Sequence, residues 1–344
     1  MIAVIGQVTA LLKRGALVTA ANWEAVVVQF IAESAFKALL LVPIVGAAFL
    51  LALLVGGALH ELFTWDVREI VGLVVGALSA HPLALAAYLT GVAIIIVGGS
   101  ILMFAVKAGT VAVLVAAERQ APTLEQPPLR TAVVRRAGHF TWERFLAGSD
   151  RHAPPFIGLG LLLLGTYVVA GAAYLGAVAG SYRTIVGAGP GLGATLVAAA
   201  ASVWFVATLT AVHLFYLLAQ IAIVAGDCSV GPALRAVGTL LRREFRLVAG
   251  VFVAVLALVV LATVASVLAT ALLGFVGFVP VIGIAVLPLQ LLAWLGRGLL
   301  FQFIGLTTLT ACACLARGGA EKLRLDAAPQ RRVPTPPRAA ERTA

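Results

Sequence analysis

Long apolar runs alternate with short polar connections along most of the chain. Six runs are long enough to cross a membrane as helices, because about 20 apolar residues, each rising about 1.5 Å, cover the roughly 30 Å hydrocarbon core. These runs are residues 36–59, 83–117, 156–180, 194–225, 247–273 and 281–316. The pattern predicts an all-α, polytopic integral membrane bundle of about six transmembrane helices.

The composition excludes an ordinary soluble protein. Of 344 residues, 62% are hydrophobic and 11% are charged, against about 45–50% and about 25% in typical soluble domains. Such a chain has too few polar side chains to cover its surface in water. We therefore expect one membrane domain and count spans to describe it.

The chain divides into three segments by composition. Residues 1–35 are predicted to be a cytoplasmic segment with an interfacial amphipathic helix, because Trp23, Val27 and Phe30 share a helical face. Residues 36–316 hold the predicted six-helix transmembrane domain. Residues 317–344 are basic and rich in Pro and Arg, so we expect a disordered cytoplasmic tail.

Positive charge is distributed unevenly between the connections. The alternate connections carry only Arg68 and Arg183. The other Lys and Arg residues of the connections cluster in the N-terminus, in residues 118–155 and 227–246, and after residue 316. Because cytoplasmic loops carry the excess of Lys and Arg, both termini are predicted to be cytoplasmic. An even number of spans agrees with this orientation.

Composition also bears on localisation and partners. Abundant Ala and Gly, with more Arg than Lys, are typical of a GC-rich bacterial genome. We therefore expect a multi-pass protein of the bacterial cytoplasmic (inner) membrane. The net charge of +10 is explained by the basic cytoplasmic connections, so a nucleic-acid partner is not implied.

Two basic stretches resemble each other. Residues 129–148 and 234–250 both open with Leu-Arg, carry an Arg pair midway and close on an aromatic residue followed by Ala-Gly. Residues 16–36 are a third, weaker copy. Each copy is predicted to be a cytoplasmic surface helix that leads into a pair of spans, which gives a threefold internal repeat.

The second of these stretches is predicted to be an amphipathic helix with a basic face. Its apolar stripe contains Leu234, Val237, Leu241 and Phe245. Each Arg beside anionic lipid gains about 1 kcal/mol. Contact with anionic headgroups, a protein partner or a second copy of the chain is one interpretation, and ordinary topology-setting charge is the other. The residues concerned are Arg235, Arg242, Arg243 and Arg246, with Arg135 and Arg136 from the earlier stretch.

Lys107 and His213 lie inside predicted spans. A charge there costs about 2.5–3.5 kcal/mol on insertion scales and often marks a pathway for an ion or solute. The pair is therefore a candidate pathway for a small-solute transporter or permease. Alternatively, Lys107 extends its stem towards the membrane surface, and His213 is a neutral, hydrogen-bonded core residue.

The remaining polar clusters match no known chemistry. His60, Glu61, Asp66, Glu69 and His81 share one connection, but their spacing matches no zinc motif. The alternating glycines of residues 187–193 lack the Lys-Ser/Thr of a phosphate loop. No nucleophile elbow or HExxH pattern is present. We therefore predict a non-enzymatic protein without a metal or cofactor.

Residues 222–250 carry a family resemblance. Their sequence, AIVAGDCSVGPALRAVGTLLRREFRLVAG, resembles a signature of bacterial polytopic membrane proteins of unknown function, which are similar to the membrane domain of some glycerophosphodiester phosphodiesterases. In that signature a span ends in an acidic and a small polar residue, here Asp227 and Ser229. A surface helix with Ala233 and Leu234 follows. The soluble phosphodiesterase barrel has no counterpart here, so the resemblance implies a membrane fold without that activity.

Overall fold

The computed structural model describes residues 2–55, 76, 82–121, 131–185, 192–277 and 280–327. Every regular element in these ranges is an α-helix, which confirms the predicted all-α class. The helices are α1 (Ile2–Ala21), α2 (Trp23–Val55), α3 (Pro82–Gln120), α4 (Thr131–Arg136), α5 (Trp142–Ile185), α6 (Leu192–Gly226), α7 (Val230–Gly277) and α8 (Pro280–Ala327).

Seven of these helices are long and apolar enough to cross a membrane, judged by length and composition. Six of them overlap the six predicted runs, although residues 56–59 of the first run lie outside the described ranges, and Val4–Ala21 in α1 is the addition. The chain is therefore a multi-pass membrane protein by its helical pattern. α8 continues into the predicted tail as far as Ala327, and residues 328–344 lie outside the described ranges.

Three antiparallel hairpins form the bundle: α2 with α3, α5 with α6, and α7 with α8. The Tyr88 hydroxyl donates to the Pro43 carbonyl at 2.7 Å in the first hairpin, and Tyr174 stacks on Phe205 in the second. The second helix of each hairpin, α3, α6 or α8, packs on the other two at the centre. The end where α2, α5 and α7 begin is called the basic end, because its exposed residues include many arginines.

The long helices begin before the predicted spans. α2, α5 and α7 start at Trp23, Trp142 and Val230 and continue into the apolar runs without a break in the helix assignment. In α7 a non-helical residue, Glu244 (φ −117°, ψ 29°), kinks the helix between its two parts. The predicted interfacial helix of residues 23–35 is thus the first part of α2.

Burial divides the bundle into two halves. Large buried side chains, such as Leu114, Phe156 and Ile221, are concentrated towards the basic end. The other half exposes large apolar side chains on its outer helix faces, and we call it the apolar belt. Such a surface is unfavourable in water but suits lipid, where helices satisfy their own backbone groups. Examples are Leu41, Ile94, Leu161, Val203, Leu256 and Leu292.

Aromatic side chains pack closely on glycines of neighbouring helices. A Cβ at any of these glycines would lie less than 3.0 Å from the facing ring, so the absence of a side chain allows the close approach. Small residues serve the same purpose in membrane helix packing generally. The pairs are Phe36 on Gly99, Phe104 on Gly160, Phe145 on Gly109 and Phe30 on Gly298.

α1 packs tightly against α8 near the basic end. Thr19 and Thr310 share a hydrogen bond of 3.3 Å between their hydroxyls. A Cβ at Gly15 would lie 2.6 Å from the Thr307 carbonyl oxygen and 3.0 Å from the Ala311 nitrogen. Thus α1 is part of the packed core, although the sequence placed it outside the transmembrane domain.

A buried ion pair joins α1 to α3. Arg14 Nε lies 3.3 Å from Glu118 Oε1, and Arg317 of α8 approaches the same oxygen at 3.5 Å. Both guanidinium groups also donate to carbonyls at the C-terminal end of α3, including that of Glu118. Basic groups are favourable there because helix carbonyls are unpaired and the helix dipole is negative at this end.

Substituting Gly15→Ala should destabilise the protein, because the added methyl group meets the backbone of α8. We expect a loss of about 1–3 kcal/mol, typical of overpacking, and a lower unfolding temperature in detergent. Gly6→Ala on the same helix is the matched control, since a Cβ at Gly6 would have no neighbouring heavy atom within 4 Å. Equal unfolding temperatures for the two variants would contradict the observed α1–α8 packing.

Candidate functional site

Polar side chains from four helices meet where the apolar belt joins the packed half. We call this set the polar layer. α2 and α8 contribute its outer part, next to a cleft, and α3 and α6 contribute its inner part. Its members are Glu33, Lys37, Lys107, His213, Tyr216 and Gln302.

Glu33 links α2 to α8. Its Oε1 lies 2.7 Å from Lys37 Nζ, one helical turn along. The amide of Gln302 donates to its other oxygen, Oε2. Glu33 precedes Lys37 by four residues, which is the favourable order for an ion pair within a helix. The carboxylate therefore has a basic partner on its own helix and a neutral donor on α8.

Lys107 points towards α6. Its Nζ lies 5.8 Å from the centre of the Tyr216 ring, within the range of a cation–π interaction. It also interacts electrostatically with Glu33. This orientation favours a partner inside the bundle over extension of the side chain towards the membrane surface. The partly buried ammonium group thus has a ring face and a carboxylate from two other helices as its neighbours.

His213 lies near the same tyrosine. The ring centres of His213 and Tyr216 are 6.4 Å apart, and His213 interacts electrostatically with Lys107. The structure therefore brings together the two residues that the sequence singled out as a candidate pathway. It adds Tyr216 and Glu33 to them.

Polar contacts continue from the layer towards the basic end. The Thr110 hydroxyl donates to Gln29 Oε1 at 3.1 Å, and both side chains are buried. Gln220 Nε2 and Thr307 Oγ1 are also buried, and neither has a hydrogen-bond partner among the described residues. Buried polar atoms are normally paired. The centre of the bundle is thus more polar than its apolar sequence indicates.

A cleft of about 570 Å³ opens between α2 and α8 beside the polar layer. Glu33, Lys37 and Gln302 line it together with Arg297, whose guanidinium lies 5.7 Å from the Phe301 ring centre. An apolar groove of about 490 Å³ on α2 adjoins the cleft, since Ala38 and Leu41 line both. Neither Lys107 nor His213 lines these two cavities.

No protein-family model, curated protein or solved structure matches this chain. A role for the polar layer or the basic end must therefore follow from geometry and charge. The resemblance of residues 222–250 to a family signature stays a prediction.

The predicted lipid-contact arginines are all exposed or partly exposed. On the first part of α7, Ala233 and Val237 are buried against the core, while Arg235, Arg242 and Arg243 face outwards. Val237 of the predicted apolar stripe is buried and Leu234 and Leu241 are partly buried, but Phe245, which follows the kink at Glu244, is 60% exposed. The predicted division into an apolar and a basic face is therefore present only before the kink. Arg246 follows the kink, and Arg135 and Arg136 end the short helix α4.

The turn between α6 and α7 is closed by Asp227. This residue has a positive φ of 46°, as at many helix ends. Its carboxylate accepts a hydrogen bond of 2.8 Å from Arg151 Nε on α5. The hydrogen bond from Arg151 holds the pKa of Asp227 below its usual value. This hydrogen bond stabilises the folded protein at pH values above the ordinary pKa of Asp. The stabilisation is lost as the pH falls through the lowered pKa of Asp227.

Sequence reasoning missed Gln302 as a partner of Glu33. Gln302 is separated from Glu33 by 269 positions and lies within an apolar run. Its only signal was its polarity. The connection with His60 and His81 lies outside the described residues. Among those described, no group of three His, Cys, Asp or Glu side chains could hold a metal.

A double-mutant cycle should detect coupling between Glu33 and Lys107. Glu33→Gln removes the negative charge near the Lys107 ammonium, so the single variant should unfold at a lower temperature. Lys107→Met in the Glu33→Gln background should cost less than Lys107→Met alone. We expect a coupling free energy of about 0.5–3 kcal/mol, measured by reversible denaturation in mixed micelles. Strictly additive effects would show that the two charges do not interact.

Proposed function

We propose that the protein is a non-enzymatic, multi-pass protein of the bacterial cytoplasmic membrane. Its basic end faces the cytoplasm and contacts anionic lipid headgroups or an acidic partner protein. The outward-facing arginines of α7 carry this proposal: Arg235, Arg242 and Arg243 project from a helix whose opposite face is buried. Such a helix holds its charges at a fixed height beside the membrane.

Charge distribution supports the orientation. Arginines gather at the end where α2, α5 and α7 begin, and cytoplasmic segments carry this excess in membrane proteins generally. Anionic lipids of the inner leaflet attract such segments by about 1 kcal/mol per charge. With six spans in three hairpins and α1 packed at the basic end, each hairpin is one unit of the proposed threefold repeat.

The resemblance of residues 222–250 supports the non-enzymatic part of the proposal. The residues that carry it form a turn at Asp227 and the start of a surface helix. These are structural roles, since Asp227 closes a turn and pairs with Arg151. Membership of that family of membrane proteins is likewise part of the proposal.

Substituting Arg235, Arg242 and Arg243 by Gln should weaken selection of anionic lipid. In nanodiscs of mixed phosphatidylglycerol and phosphatidylcholine, the preference for spin-labelled phosphatidylglycerol next to the protein should fall several-fold. The difference from the unsubstituted protein should shrink at high salt, because exposed charges are screened.

Arg151→Gln is the matched control, because this exposed arginine already pairs with Asp227. It should leave the lipid preference almost unchanged. An unaltered preference in the triple variant would refute lipid contact through α7.

A small-solute transporter is the second candidate, and the polar layer favours it. Lys107, His213 and Glu33 come from three different helices near the middle of the bundle. Charged and polar groups at such a site commonly line substrate or proton pathways. This proposal requires that water reach Lys107 from one side of the membrane.

Cysteine labelling tests the second candidate. In a variant lacking Cys228, Cys312 and Cys314, transport predicts that a cysteine at position 107 reacts with a membrane-impermeant maleimide. Ser229→Cys, exposed at the basic end, is the positive control, and Val111→Cys, which is buried, is the negative control. If position 107 reacts only after denaturation, like position 111, Lys107 does not line a water-filled pathway.

A further inference from the structure

The cleft between α2 and α8 combines a polar mouth with an apolar extension. Lys37 and Arg297 line the mouth together with Glu33 and Gln302. The adjoining groove is lined by Leu41, Val42, Val45 and Phe49 along one face of α2. From Ala38 to Phe49 a helix rises about 16 Å, enough for much of an acyl chain. The cavity therefore has the two-part chemistry of an amphiphile.

The charge of the mouth is positive. Lys37 has 69% of its side chain exposed even though it pairs with Glu33. The Glu33 carboxylate is shared, because it also accepts from Gln302 and interacts with Lys107. Arg297 has no carboxylate within ion-pair distance among the described residues. The mouth thus holds two basic groups, Lys37 and Arg297, and one carboxylate, which leaves an excess of positive charge.

Arg297 also has apolar neighbours. Along α8 it lies between Leu292 and Leu300, both exposed in the apolar belt. Its contact with Phe301 supplies only a ring face. Because a charge among apolar side chains in a bilayer is costly, an anionic partner from outside the chain would stabilise it. Arg also suits a phosphate, to which it can donate two parallel hydrogen bonds.

From these observations we propose that the α2–α8 cleft binds one anionic glycerophospholipid. Its phosphate lies between Lys37 and Arg297, and one acyl chain lies in the groove along α2. The bilayer supplies this ligand, since the cleft lies in the apolar belt and its groove lacks charged residues. The site is separate from the exposed arginines of α7 and does not depend on them.

Native mass spectrometry can count the lipid directly. The full-length protein, purified from nanodiscs of phosphatidylcholine and phosphatidylglycerol into mild detergent, should retain one phosphatidylglycerol. The double variant Lys37→Gln with Arg297→Gln should retain at least tenfold less. Ala38→Phe should have a similar effect without changing charge, because Ala38 lines both the cleft and the groove.

Further variants distinguish binding in the cleft from lipid contact at the basic end and from loss of folding. The triple Gln variant of Arg235, Arg242 and Arg243 should keep the retained lipid, even if its bulk lipid preference is lost. Each variant is compared only if its size-exclusion profile and unfolding temperature match those of the unsubstituted protein. Ala38→Leu, which fills less of the groove, replaces Ala38→Phe if the latter is unstable.

Three results would overturn the proposal. One is retention of the lipid in the Lys37 and Arg297 double variant and in the Ala38 variant. Another is its loss only in the α7 variant. The third is an equal rise in unfolding temperature with inorganic phosphate and with phosphatidylglycerol, which would indicate a simple anion site that needs no acyl chain.

Discussion

The buried ion pair between Arg14 and Glu118 is the interaction on which the closed end of the bundle depends. It connects α1 to α3, and Arg317 extends it to α8. Glu118 is almost fully buried, and breaking a buried ion pair typically costs about 3–5 kcal/mol. Arg317 would still lie beside the Glu118 carboxylate if Arg14 were replaced. At the C-terminal end of α3, Arg14 and Arg317 also donate hydrogen bonds to the backbone carbonyl of Glu118, which has no partner within the helix. α1 is therefore held by charge as well as by close packing at Gly15.

α1 packs against the bundle only near the basic end, so the other half keeps its helix faces exposed. α1 fills space against α7 and α8 near the basic end, but α2 and α8 separate enough beside the polar layer to leave a cleft. The packed half lies on one side of the polar layer, and the cleft opens on the other side. Both an intramembrane lipid and a solute could therefore use the same charged groups, from opposite faces of α2.

The sequence predicts the structural features that depend on local hydropathy. It does not predict the contacts that depend on packing between distant helices. Runs of apolar residues identify the long helices, and isolated polar residues within them identify Lys107 and His213. The sequence placed α1 in a cytoplasmic segment, whereas the structure packs it in the core, where the partner of its Arg14 lies 104 positions away. The partnership of Glu33 with Gln302 spans 269 positions and has no local signal. The exposed arginines at the start of α7 follow from helical periodicity, whereas the exposure of Phe245 after the kink at Glu244 does not.

Glu33 interacts with basic groups on two sides of α2. One of its neighbours, Lys37, faces the cleft, and another, Lys107, faces α6. A phosphate bound at Lys37 would compete with Glu33 for that ammonium group. Glu33 would then be freer to interact with Lys107, so the cation inside the bundle would become better neutralised. Because such coupling is reciprocal, removing the charge of Lys107 should in turn strengthen the Glu33–Lys37 pair and weaken binding of an anion in the cleft.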